Sequence, residues 1–337
     1  MAGGRGEGVS FTHLIAYLVR LLRPEFWLVT IVPMYIGYVV ASHDVAPRAD
    51  LWVALWLDAW NDGVTSRDVG RTFADWWRAG GADFSLAAVA LGPLMWGSTL
   101  LYNDYWDLHA DRANPRRRGS PLVRGRVTPR QAHLTAWALA FAGLVAAAWV
   151  NLAFFVFMLL SLALSVAYSA PPLRLKARAG GDVLVNAVGI GIGCTLAGWS
   201  IARPWHEYPW PFLVQGVLVS VGVYLPSVMV DHGPDKAAGI QTFAVRFGLR
   251  RTFLVGFAFF AASCLGAVAF AAADYVIPRG FLPVLVPFSV VMALQYWFMI
   301  GNHRDMTSLV RGIVLGGLTM FLVNMLFVAA YVGLWRV

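Results

Sequence analysis

Asn103-Asp104-Tyr105-Trp106-Asp107-Leu108-His109-Ala110-Asp111 sets three carboxylates and an amide at the end of an apolar stretch about one bilayer thick. Carboxylates repel one another and are costly to dehydrate, so ionisable groups at membrane depth mark function by default. On a helix turning about 100° per residue, Asp104, Asp107 and Asp111 fall within an arc of about 60°. Hard cations take oxygen ligands, and Mg²⁺ bridges carboxylates to phosphate oxygens. The stripe therefore reads as a surface for Mg²⁺ and a diphosphate. A merely solvated acidic helix end is the alternative, and it fits poorly where the stripe grows directly out of a spanning segment.

A second acidic site follows: Asp231-His232-Gly233-Pro234-Asp235-Lys236-Ala237-Ala238-Gly239. Pro234 donates no backbone bond, and one expectation is that it begins a new short helix. Asp104, Asp107, Asp111, Asp231 and Asp235, with Asn103, are the expected metal ligands and the catalytic set. Arg suits bidentate phosphate contacts, so Arg118, Arg124, Lys176 and Lys236 are the expected diphosphate-binding cations, together with Asn103 and Tyr168. Arg112, Arg116 and Arg117 are further basic candidates in the same loop, with topology determinants as the competing reading for all of them. His109 and His232 lack zinc-ligand spacing. No nucleophilic triad order or phosphate-binding glycine loop is present.

These residues need elements to hold them. The chain has 337 residues, 59% hydrophobic and 13% charged, with a net charge of +8. A soluble domain of this size cannot hide that much apolar surface. The class is an all-α, polytopic membrane protein, because lipid offers the backbone no other partners. Fifteen Trp and eleven Tyr suit interfacial belts. Nine apolar segments are expected near 25–42, 85–103, 131–149, 152–168, 183–201, 211–230, 252–273, 281–300 and 310–334. They are expected to surround a central cavity as one domain, 1–337. Segments three and four, parted only near Asn151, form a tight hairpin. Residues 1–20 read as an N-terminal tail, and 43–84 as an external polar insertion with amphipathic pieces near 51–57 and 73–77.

Nineteen of the 26 Lys and Arg fall on the side of the N-terminus and the Asp-rich loops, against seven on the other. By the positive-inside rule those loops and the N-terminus are cytoplasmic, and the C-terminus lies opposite. The basicity thus reflects topology and anionic ligands. No basic helix with interleaved aromatics of the nucleic-acid type exists.

The motif Asn-Asp-x-x-Asp-x-x-x-Asp at 103–111 resembles the first aspartate-rich motif of the UbiA superfamily of intramembrane prenyltransferases. Asp235 to Gly248 (DKAAGIQTFAVRFG) is similar to the continuation of its second motif, Tyr168 to Lys176 (YSAPPLRLK) to the segment after its fourth helix, and Pro121 to Gly125 (PLVRG) to the stretch after its first motif. The chain departs where the family has Arg-Pro and it has Ser120-Pro121, with Arg118 the candidate substitute. It also has Gly233-Pro234 in place of Glu-Gly, and a longer 43–84 insertion. The resemblance implies Mg²⁺-dependent transfer of a prenyl group from its diphosphate to a lipophilic acceptor of aromatic type. Trp96, Tyr102, Tyr105 and Tyr224 are candidates to face the allylic cation, and Asp231 is a candidate to take the acceptor's proton. An intramembrane terpene cyclase, which ionises the same diphosphate without an acceptor, is the alternative. A transporter fits less well, because its charges belong near the bilayer midplane.

Overall fold

The computed structural model describes residues 11–61 and 63–334. Met1–Gly8 of the expected tail, Asp62 and Arg336 lie outside them. Among the described residues there is no strand. Eight helices are long and apolar enough to span a bilayer, or nine with one bent pair counted as a span, in agreement with the expected nine.

The bent pair comes first. α1 (Phe11–Leu22) corrects the tail, because residues 11–20 are helical. Leu21 is buried against the helix that carries Asp104, with Tyr17, Leu18 and Leu22 beside it. α2 (Leu28–Ser42) follows a 3₁₀ turn, Pro24–Phe26, at a bend of 52°. Pro24 cannot continue α1, and Arg23 before it takes the left-handed region at φ 48°.

The described part of the 43–84 insertion is mostly helical. α3 (Ala49–Asn61) packs on the start of α4 (Ser66–Ala113) through Trp52 and Trp76, whose rings lie 5.9 Å apart. A capping box of Thr65 and Asp68 starts α4. Gly80, at φ 100°, kinks it before the membrane-spanning part.

The remaining spans are α5 (Pro129–Val150), α6 (Leu152–Ser169), α7 (Gly181–Trp199) and α8 (Pro211–Ala237). After a short α9 (Phe243–Phe247) come α10 (Leu249–Ala272), α11 (Arg279–Ile300) and α12 (Met306–Tyr331). The expected hairpin is present: Asn151 ends α5 and caps α6 by accepting the Phe154 N–H at 2.8 Å.

Two glycines let α2 and α7 touch backbone to backbone. A Cβ on Gly198 would sit 1.8 Å from the Met34 carbonyl oxygen, and one on Gly37 would sit 2.0 Å from that of Thr195. In lipid such packing, rather than hydrophobic exclusion, holds helices together. Gly198→Val is expected to cost more than about 2 kcal/mol, because backbone rather than a flexible side chain must yield. A wild-type melting temperature in detergent would refute this.

Candidate active site

α4 and α8 run the same way through the bundle and end side by side. α4 ends with Asp104, Asp107 and Asp111, and α8 with Asp231 and Asp235. The expectation that Pro234 begins a new helix is corrected, because α8 continues through it to Ala237. Four residues apart on one helix, Asp231 and Asp235 lie about 40° apart on the same face. Pro234 has no N–H to offer the Val230 carbonyl one turn earlier. Arg116 takes that carbonyl instead, donating to it at 2.6 Å, and the same amine pairs with Asp231 at 2.5 Å. The proline thus exposes a backbone acceptor that ties the first motif's loop to the second motif.

Cations fill the space between the two helix ends. Asp104, whose side chain is only 2% exposed, accepts from Arg23 and, at 2.8 Å, from Arg117 through the same oxygen. Arg117 also reaches Asp111 at 3.3 Å. Burial works against the charge of Arg117, but Asp104, Asp111 and Asp231 outweigh it and raise its pKa. Asp107 turns the other way, toward the loop between α6 and α7. Its carboxylate meets Lys176 at 2.6 Å, Arg174 at 3.3 Å and the Asn103 amide at 3.1 Å. Lys176 also donates to the Asn103 side-chain oxygen at 2.7 Å. Burial pushes its ammonium below the ordinary lysine range, and Asp107 opposes that shift. Asp235 faces Asp231, Asp107 and Lys176 within electrostatic reach.

The three carboxylates share one continuous helix, as expected, but divide between two sets of partners. Asp104 and Asp111, two turns apart, share Arg117, whereas Asp107 serves the 170–178 loop. Among the described residues no three Asp, Glu, His or Cys side chains converge as a preformed metal cage. Asn103 and Asp107 touch, while Asp104, Asp111 and Asp231 are each engaged by an arginine.

The donor set nevertheless fits Mg²⁺. All six ligands offer hard oxygens, and the Asp104 Oδ2 is buried with no hydrogen-bond partner. The Nε groups of Arg23 and Arg174 are likewise buried donors without an acceptor. The unmet Asp104 oxygen and the unmet donor of its partner Arg23, with that of Arg174 beside Asp107, suit a cation and an anion bound together.

Some expected residues lie elsewhere. Arg118 and Arg124 are both exposed, and the Arg124 Nε donates to the Arg118 carbonyl at 2.8 Å. The 3₁₀ turn Pro115–Arg117 advances about 120° per residue, so Arg116 and Arg117 face the carboxylates and Arg118 rotates away. Lys236 is exposed on α8. The Tyr168 hydroxyl meets that of Tyr224 at 3.2 Å rather than any carboxylate. Tyr102 and Tyr105 pack against His133 on α5, at 5.8 and 4.5 Å between ring centroids.

Arg23 and Arg174 are site cations that the sequence reading did not select. Each holds a left-handed backbone, at φ 48° and 38°. Non-glycine residues rarely take this conformation, and strain of this kind concentrates at functional sites. In the sequence both look like ordinary topology determinants.

The sequence profile of the UbiA prenyltransferase family matches residues 72–325. The lycopene elongase/hydratase of Haloferax volcanii is 30% identical over 283 residues, which is 80% of this chain and 77% of that protein. The 4-hydroxybenzoate octaprenyltransferase of Chromohalobacter salexigens is 30% identical over 159 residues, 46% of this chain and 50% of that one. Among solved structures, a UbiA homologue from Archaeoglobus fulgidus bound to GPP and Mg²⁺ superposes with a TM-score of 0.66 at 21% identity. That alignment covers 94% of this chain and 98% of the other, and it establishes the fold.

Proposed function

This chain belongs to the UbiA prenyltransferase family and is a multi-pass membrane prenyltransferase; from that premise we propose which residues act and on what. The donor is a prenyl diphosphate, held where α4 and α8 end together. The acceptor is a lipophilic molecule that enters among the helices. One observation supports this most directly: two acidic helix ends, far apart in sequence, meet across Arg116 and Arg117 while buried arginine donors and an aspartate oxygen beside them stay unmatched.

Asn103, Asp104, Asp107, Asp111, Asp231 and Asp235 would hold Mg²⁺, which when bound neutralises the charge of the leaving diphosphate. Arg23, Arg117, Arg174 and Lys176 offer their donors to the phosphate oxygens, and this orients the donor. Its allylic C–O bond then breaks, and both electrons leave with the diphosphate. The close-packed helices exclude water, which would otherwise capture the cation. The acceptor's π-electrons form the new C–C bond, and the proton released there passes to a carboxylate; Asp231, more than half exposed, is suitably open. The distribution of basic residues supports a cytoplasmic face for this site.

The acceptor class follows coverage. The lycopene elongase/hydratase aligns along 80% of the chain and the 4-hydroxybenzoate octaprenyltransferase along 46%. A linear polyene is therefore the first acceptor to try, and an aromatic acid the second. The test incubates the purified protein with geranyl, farnesyl, geranylgeranyl or octaprenyl diphosphate, with lycopene or 4-hydroxybenzoate, and with Mg²⁺. Mass spectrometry should show a prenylated acceptor with equimolar diphosphate, abolished by chelation. A cyclic hydrocarbon formed without acceptor would instead favour the cyclase reading. Inertness towards every donor would refute the proposal.

A further inference from the structure

Opposite the carboxylates, where α5 turns into α6 and α7 ends, a groove of about 840 Å³ opens. Leu152, Val156 and Phe157 of α6 form one apolar wall with Ile201 facing them, while Arg203 and His206 line the polar part. No acidic residue lines it. We propose that this groove holds one anionic phospholipid of the leaflet opposite the catalytic site, with its phosphate on Arg203 and one acyl chain along α6.

The groove is built rather than incidental. The Asn151 side-chain amide donates to the Ser200 carbonyl at 2.8 Å and so fixes the α5–α6 turn to the end of α7. The Trp199 indole N–H donates to the Pro204 carbonyl at 2.9 Å and holds the 200–204 loop in place. Arg203 is itself restrained: its Nε donates to the Ala41 carbonyl at 2.7 Å, and its guanidinium carbon lies 6.0 Å from the Trp199 ring centroid. A guanidinium held in this way loses little entropy on meeting a phosphate and offers it a planar fork. Trp205, 49% exposed, lines the same groove, and indoles favour the headgroup level. A cation at headgroup depth above an apolar wall is placed to pair with a lipid phosphate, and the groove takes a headgroup with part of one acyl chain rather than a whole lipid.

The experiment titrates the full-length protein in detergent with dioleoyl phosphatidylglycerol and, separately, dioleoyl phosphatidylcholine. Native mass spectrometry counts bound lipid, and thermal melting reports stabilisation by the ligand. One phosphatidylglycerol is expected to bind about tenfold more tightly than phosphatidylcholine. Arg203→Gln should remove that preference. Because Arg203 also holds the Ala41 carbonyl, a second variant, Ala153→Trp, fills the groove without touching that bond. It should abolish the bound lipid yet leave prenyl transfer at the wild-type rate. Retention of phosphatidylglycerol by Ala153→Trp, or equal affinity for both lipids, would overturn the proposal.

Discussion

Asp107→Asn is expected to lower prenyl transfer by about a hundred- to a thousandfold at saturating Mg²⁺ and donor, with a lower melting temperature as well, because buried Lys176 loses its counter-charge. The substitution keeps the shape but exchanges one of two accepting oxygens for an NH2 donor, which then faces Arg174 when the remaining oxygen faces Lys176. The asparagine oxygen can still accept from Lys176 at the position where Asp107 lies 2.6 Å away. What disappears is one negative charge between Lys176, Arg174 and the α8 carboxylates. If Asp107 holds the cation that neutralises the departing diphosphate, that charge matters most in the transition state, where preorganised electrostatics are worth a factor of this size. Asp235→Asn should behave alike, because Asp235 lies within electrostatic reach of Asp107. Turnover within tenfold of wild type in either variant would remove that residue from the proposed ligand set.

Asp104→Ala should fail differently, by destabilising the fold. Asp104 is almost fully enclosed and neutralises Arg23 from the α1–α2 bend and Arg117 from the loop after α4. Removing it leaves the largely buried Arg23 without a counter-charge and Arg117 paired with Asp111 alone, a loss of about 3 kcal/mol. The charge imbalance, rather than the missing contact, is the cause. Arg23→Met in the same chain should therefore restore part of the stability. A double-mutant cycle on melting free energies reads this directly: a coupling near zero would show that Asp104 and Arg23 do not act as a pair. Activity should stay low in the double variant, because the proposed site then lacks both a ligand and a phosphate donor.

Arginines and carboxylates in this site offset one another before any ligand enters. Arg117 sits among Asp104, Asp111 and Asp231, and Arg116 clamps Asp231 and the carbonyl freed by Pro234. On the proposed reading, a cation and a diphosphate arriving together let both sets of side chains exchange an internal partner for a ligand of opposite charge. The carboxylates are then never buried unpaired, which at membrane depth would be prohibitive.

Much of this was legible in the chain itself. Apolar length against bilayer thickness gave the spans, because lipid leaves a backbone only the helix to satisfy itself. The two aspartate motifs stood out for the same reason, since charge at that depth needs a purpose. Lys176 was also found, because it closes a motif next to a span end. The sequence alone determined the fold class and the family, and it supplied the acidic half of the proposed site.

Tertiary structure decided which cations complete it. Arg116, Arg117 and Arg118 are equivalent in one dimension, and only the 3₁₀ turn selects the first two and turns the third to solvent. Arg23 lies about eighty residues from its partner, and it reaches Asp104 only because α1 folds back onto α4 through the Pro24 bend. Periodicity reports which face of one helix is apolar. It carries no information on which other helix that face meets, and a charge finds its partner across exactly that contact.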